Sequence, residues 1–190
     1  MRHSTKVKIN DIDLHILRDG KNTFTNDIFV ETSDSEIEQL LLSNQRTVVE
    51  TSFNAFLVKS SNECILIDTG AGELFGSIAG NLETALRELG VSNSEITKLI
   101  VTHLHPDHIG GAIDSQFKSI FTNAEFILSE NEYNFWTNSA NFTNQPGSQA
   151  HPLAVLDAYK ANLSLTKKNS DLGLGLSTID LPGHTAGHIG

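Results

Sequence analysis

The sequence predicts an α/β fold, a single domain of alternating strands and helices in sheet-on-sheet or sheet-and-helix layers. Three observations carry this: short apolar runs bounded by turn residues, leucines at helical spacing between them, and two strands that run straight into histidine motifs. Residues 6–18 alternate loosely (Val7, Ile9, Ile12, Leu14, Ile16) and Asp19-Gly20 follows as a turn signal, so an opening strand or hairpin is expected. Residues 21–33 read as a loop. Ser35 to Leu42 places Ile37, Leu40 and Leu41 at helical spacing behind Ser35 as a cap, with Glu38 three residues on, which predicts a short helix. Phe53 to Val58 and Cys64 to Ile67 are apolar runs joined by the polar Lys59-Ser60-Ser61-Asn62-Glu63, the form of a hairpin in a buried sheet, closed by Asp68-Thr69-Gly70.

Leu74 to Leu89 is expected to be helical, with Leu82, Leu86 and Leu89 on one face and Gly90 as its stop. Lys98 to Thr102 is an apolar strand that leads directly into His103-Leu104-His105-Pro106-Asp107-His108, a loop followed by a short helix. Ala124 to Leu128 reads as a strand, Asn131 to Trp136 as a short helix, and Pro152 to Leu163 as a helix, with a polar Asn/Ser/Gln-rich loop between the last two. Leu176 to Leu181 reads as a strand ending in Pro182-Gly183-His184. There is no internal repeat and no low-complexity tail.

With 190 residues there is room for one sizeable core, and 38% hydrophobic with 19% charged residues is an ordinary globular composition. A net charge of −10 disfavours nucleic acid and anionic membranes, which select for basic faces. The one cysteine, Cys64, lies in an apolar run and is expected to be a buried thiol; no disulfide can form within the chain. The N-terminus from Met1 to Lys6 and beyond has no apolar run long enough for a signal peptide or membrane helix, so a cytoplasmic location is the default expectation.

The chemistry concentrates in His103, His105, Asp107 and His108. In an extended segment alternate side chains point the same way, so His103 and His105 can grip one metal while Asp107 and His108 turn toward a second. Imidazoles with a carboxylate suit zinc, and equally iron, manganese or cobalt on ligand type alone. His184 also follows directly on a strand and can reach the same sheet edge as His103, completing a three-histidine site. His3, His15 and His151 stand outside any motif and are expected to face solvent or to serve structure.

The histidine cluster with Gly110-Gly111 after it, Asp68-Thr69-Gly70 before it and Pro182-Gly183-His184 behind it resembles the metallo-β-lactamase superfamily, over residues from about 53 to 190. Asn54 to Val58, Gly70 to Gly76 and the opening Ile16-Leu17-Arg18-Asp19-Gly20 resemble the branch that holds methyl parathion hydrolase and quorum-quenching lactonases. The resemblance implies an αββα sandwich with two zinc ions at one edge. It implies His103, His105 and His184 as ligands of the first metal, Asp107 and His108 as ligands of the second, and Asp68 as a residue supporting them. It also implies Phe75 and Trp136 as aromatic walls of the substrate pocket, and His188 is expected to orient the site or to pack beneath it. The family continues to an aspartate that bridges both metals and to a last histidine, for which there is no place after Gly190. A domain incomplete at its C-terminus is therefore expected, a fragment whose own activity is in question, with a natural short paralogue holding one metal as the other reading.

The expected function of the parent enzyme is hydrolysis of a lactone, ester or organophosphate by a metal-bound hydroxide, with Asp107 orienting it and passing a proton to the leaving group. The expected partners are a small-molecule substrate and, among proteins, a second copy in a homodimer. Two rivals stand beside this. A thioester hydrolase of the glyoxalase II kind would want basic residues to grip a glutathione carboxylate, and no such cluster is evident; a non-catalytic metal-binding module would bind metal without turnover.

Overall fold

The computed structural model describes residues 3–145 and 147–190; Met1 and Arg2, where the N-terminal reading starts, and Pro146 of the polar loop lie outside the described residues. Strands β1 (Ser4–Ile9), β2 (Ile12–Phe24), β3 (Val49–Lys59) and β4 (Cys64–Ile67) pair antiparallel in chain order. Strands β5 (Lys98–Val101), β6 (Glu125–Ser129) and β7 (Leu163–Thr166) continue the same seven-stranded sheet, each parallel to its predecessor. The switch occurs at β4 because the connections change. A short polar turn reverses the chain between β3 and β4, whereas a parallel partner requires a long crossover, here carrying α2 (Leu82–Glu88). The other helices are α1 (Asp34–Ser43), α3 (Pro106–Ile109), α4 (Glu130–Thr137) and α5 (Ala150–Tyr159), and β8 (Asp171–Gly173) with β9 (Leu176–Ser177) forms a separate hairpin.

Side chains of β4 to β6 alternate between the two faces of the sheet. Leu66, Leu99, Val101, Phe126 and Leu128 join Leu82, Leu86, Ile109, Val155 and Tyr159 in the main core under the helices. Ile65, Ile100 and Ile127 point the other way and meet Leu172, with Ile67, Leu174 and Leu176 packed around them. The β8–β9 hairpin is thus the second β layer, laid on the face away from the helices, and the mixed α/β reading with layers on both faces is borne out. Cys64 is buried, as expected, and burial raises its thiol pKa. Among the described residues no helix is long and apolar enough to cross a membrane.

Five local expectations need correction. The opening turn is at Asn10-Asp11, whereas Asp19-Gly20 lies within β2 at a register shift. There Asp19 is fully buried, and its carboxylate accepts hydrogen bonds from the amides of Ala71 (2.8 Å), Gly80 (3.1 Å) and Leu82 (3.0 Å), where α2 leaves donors unpaired. The Leu74–Leu89 helix is broken into a 3-10 segment (Gly72–Ile78) and α2, because Gly76 within that segment and Gly80 between the two adopt positive φ. The first helix is capped by Ser33 with Glu36 rather than by Ser35 with Glu38; both pairs fit the spacing, and the extended backbone at Ser33 decides. Finally, Leu163 is not helical but opens β7 opposite Phe126, and the expected strand Leu176–Leu181 stops at Ser177. Ile179 and Leu181 instead hydrogen-bond back to Gly190 and His188, folding residues 179–190 into a loop that Ile189 ties to the Thr102 carbonyl (3.1 Å).

The turn after β4 and the helix after β5 are pressed together. Thr69 donates to the His108 carbonyl (2.7 Å) and Gly110 to the Gly70 carbonyl (2.9 Å). A Cβ at Gly110 would lie 2.1 Å from the Ala71 carbonyl oxygen. Because the obstructing atoms are backbone, Gly110→Ala is expected to cost about 1–3 kcal/mol, read as a lower urea midpoint with unchanged m. An unshifted midpoint would show that the two loops can part without loss.

Candidate metal centre

In a parallel run of strands the loops leaving the carboxyl ends converge on one edge, and side chains placed there share a site. Here β4 delivers Asp68, β5 delivers His103, His105, Asp107 and His108, and β6 delivers the first turn of α4. The 179–190 loop, pinned to Thr102, brings His184 and His188 to the same edge. One ligand atom from each of His103, His105 and His184 lies within 4.8 Å of the others. His105 Nδ1 and His184 Nε2 are 2.9 Å apart, and the His103 ring stands edge-on to both, each at 4.8 Å between centroids. Three of the expected ligands therefore lie together, His103 and His105 from the end of β5 and His184 from the 179–190 loop rather than from a strand end.

Asp107 and His108 sit beside this group, with His108 Nε2 3.7 Å from Asp107 Oδ2. The other ring nitrogen of His108 is held by Asp68 Oδ2 at 2.8 Å. Asp68 is itself fastened by the Thr102 amide and hydroxyl, both at 2.8 Å. With Nδ1 so occupied, Nε2 of His108 is the nitrogen free to meet an ion, the usual division of labour in a metal-ligating imidazole. His188 packs with its ring 4.6 Å from His103. Trp136 is buried, edge-on to His105 at 5.9 Å and stacked on Phe142; Phe75 is half-buried against Phe53. His3 pairs with Glu88 at 3.0 Å, His15 is half-buried in β2, and His151 lines a separate cavity of about 500 Å³ with Leu74, Leu82 and Phe117, away from the histidine cluster.

Whether a cation fits can be judged from the unpaired atoms. His103 is 1% exposed and its Nε2 has no hydrogen-bond partner, nor has the buried Nδ1 of His188. A buried polar nitrogen left unpaired is costly; His15 Nδ1 and His151 Nε2 are unpaired too, outside the cluster, and it is the convergence of His103 with His105 and His184 that points to a cation. Burial, reinforced by the neighbouring His108 and His105, pushes His103 down to about 2, and burial with His184 also lowers His105. His188 is lowered by burial and by His184. His108 goes the other way: burial works against its charged form, but the hydrogen bond and charge of Asp68, with Asp107, raise it. Neutral imidazoles converging on one point, with a carboxylate beside them, are a donor set for a divalent cation such as zinc.

Residues 50–190, well over half of the chain, match the family model described as the metallo-beta-lactamase superfamily. The chain belongs to that superfamily. Among solved structures, the metallo-beta-lactamase fold of this protein is similar to AidC, a dizinc quorum-quenching lactonase in complex with a product, N-hexnoyl-L-homoserine. Identity is 32%, the TM-score is 0.87, and the match covers 100% of this chain and 70% of that one. The hydrolase AbOPH of the beta lactamase superfamily superposes with a TM-score of 0.89 at 28% identity, over 100% of this chain and 69% of that one. The lactamase-like protein adaB of Aspergillus niger is 33% identical over 85 residues, 45% of this chain; the match spans a quarter of that relative's length.

One residue of the centre escaped the sequence reading. Glu132, in the first turn of α4, is fully buried and touches both histidine loops. A signal was present, since Ser129-Glu130-Asn131-Glu132 has capping-box spacing at a strand end, and Ser129 does cap α4. That pattern, however, predicts a glutamate turned back on its own helix.

The pKa directions set the pH dependence of the metal-free protein. His103, His105 and His188 lie below the ordinary histidine value of 6.5 in the fold, so below that pH the unfolded chain binds protons that the native state refuses. Their stabilisation is present above about pH 6.5 and declines as the solution is acidified. The raised His108 opposes this, stabilising below 6.5 and losing its contribution as pH rises through its native value. His151, also lowered by burial, adds to the first group, and with four against one the melting temperature measured in chelator is expected to fall from pH 7.5 to 5.5, His103 contributing at most about 1.4 kcal/mol per pH unit. His103→Gln is expected to flatten the slope; a melting temperature that rises on acidification would contradict the assignment.

Proposed function

We propose that the protein is a metal-dependent hydrolase acting on a lactone, ester or organophosphate triester. The observation that carries the proposal is the buried, unpartnered Nε2 of His103 among converging imidazoles, on a fold 32% identical over the whole chain to a dizinc lactonase. His103, His105 and His184 would hold one zinc ion, and Asp107 with the free Nε2 of His108 would hold a second. Zinc, when bound, supplies a Lewis acid that makes water nucleophilic near neutral pH and polarises a substrate oxygen.

The remaining work falls to the chain's own residues. Asp107, about one-third exposed, has an oxygen turned toward His108 Nε2 and another available to orient a water and to pass its proton to the leaving group. Asp68 keeps the His108 ring from rotating. Phe75 offers a half-exposed ring to an uncharged, partly apolar substrate, and Trp136 shapes the site through its contact with His105. The likeness to AidC favours a lactone, and the likeness to AbOPH keeps the triester in view.

The test is elemental analysis of protein expressed from its complete reading frame, with assays on an N-acyl homoserine lactone, a phosphotriester and a thioester. The expected result is two metals per chain with turnover of the lactone or the triester. His103→Ala is expected to lose metal and activity together, and Asp107→Asn to lower kcat about 10²–10⁴-fold. Bound metal with no turnover of any of the three would make the protein a metal-binding module, and thioester turnover alone would place it with thioester hydrolases.

A further inference from the structure

Glu132 is a buried charged group to which the proposed chemistry gives no part. Its Oε1 accepts from the Leu104 amide, between His103 and His105, at 3.0 Å, and from Trp136 Nε1 at 2.7 Å. Its Oε2 accepts from the Thr185 hydroxyl at 2.7 Å and from the Gly187 amide at 3.0 Å, in the loop that carries His184 and His188. We propose that Glu132 is a positioning residue that clamps the two histidine loops to each other, so that His105 and His184, separated by 79 residues of chain, converge on one metal. The proposal rests on the metal-dependent reading and adds a residue to it.

The division of the carboxylate is what points to a clamp. Each loop takes one oxygen, and α4, capped on β6 by the Ser129 hydroxyl, supplies a rigid base for both. The contact is also too close to admit a side chain, because a Cβ at Gly187 would lie 2.0 Å from the Glu132 amide nitrogen. None of the four donors is cationic. A carboxylate buried without a positive partner is costly, and a cation held by the adjacent imidazoles would provide one.

The decisive variant is Glu132→Gln, which keeps shape and volume but, in either amide orientation, turns an NH2 group toward at least one N–H that can only donate. The zinc dissociation constant, measured by competition with a chromophoric chelator, is expected to rise about 10–100-fold. In the metal-free protein, amide exchange at Leu104 and Gly187 is expected to accelerate together. Tyr159→Phe serves as the control. That buried hydroxyl bonds Ala112 and Phe121 and touches none of the histidines, so its loss is expected to lower the melting temperature and leave zinc affinity unchanged. Should Glu132→Gln fail to fold, Thr185→Val removes one of the two bonds to the His184 loop and is expected to weaken zinc in the same direction. Zinc affinity equal to wild type in whichever variant folds would overturn the clamp. If the wild type itself takes up no zinc, the metal reading fails, and exchange still decides the clamp: joint loss of protection at Leu104 and Gly187 upholds it, and unchanged protection overturns it.

Discussion

A carboxylate shut away from water must find its hydrogen bonds inside the protein, and this requirement organises the molecule. Asp19 gathers the amides of Gly80 and Leu82 at the start of α2 and that of Ala71 at the start of the 3-10 segment before it. Asp68 binds Thr102 and His108 across the exits of β4 and β5. Glu132 does the same for the two histidine loops. Hydrogen bonds to a charged acceptor contribute roughly 1.5–3 kcal/mol each, and removing the partners of a buried charge costs more than the bonds alone. The sheet carries the strands to one edge; these side chains decide how the loops beyond that edge lie.

The same edge shows why an acidic protein can concentrate neutral histidines. Burial keeps His103 uncharged, and its neighbours would repel it if it took a proton. Asp68 and Glu132 surround the cluster with negative charge without occupying the nitrogens that converge at its centre. The arrangement disfavours protons while favouring a cation bound through lone pairs, as a metal ion is.

Much of this was legible in the sequence because it is local. The apolar runs of β3 to β6, the strand-to-histidine junction after Val101 and the Asp68-Thr69-Gly70 turn are patterns within a dozen residues, and the structure sets them at one sheet edge; His184 was legible as a motif, but it arrives on a loop beyond Ser177 and not at a strand end. What could not be read depends on distant contacts. Asp19 looks like a turn residue until Ala71 and Gly80 are seen to point at it, and Glu132 looks like a cap until Leu104 and Gly187 arrive. Leu163 continues a helical pattern by spacing alone, and only pairing with Phe126 makes it a strand. In each case tertiary hydrogen bonding overrode a reasonable local preference.

The loop of residues 179–190 has a kinetic consequence. It is held at the end of β5 by the Ile189–Thr102 bond, by the packing of His184 and His188 on His103 and His105, and through Glu132 by Thr185 and Gly187, all of them contacts between segments far apart in the chain. Closing so long an interval costs chain entropy before any contact returns it, so the three-histidine cluster is expected to assemble late in folding. A metal that binds only the closed form slows its reopening and adds to the native state's stability by mass action. Metal supply would then govern how long a folded molecule lasts as well as what it can do.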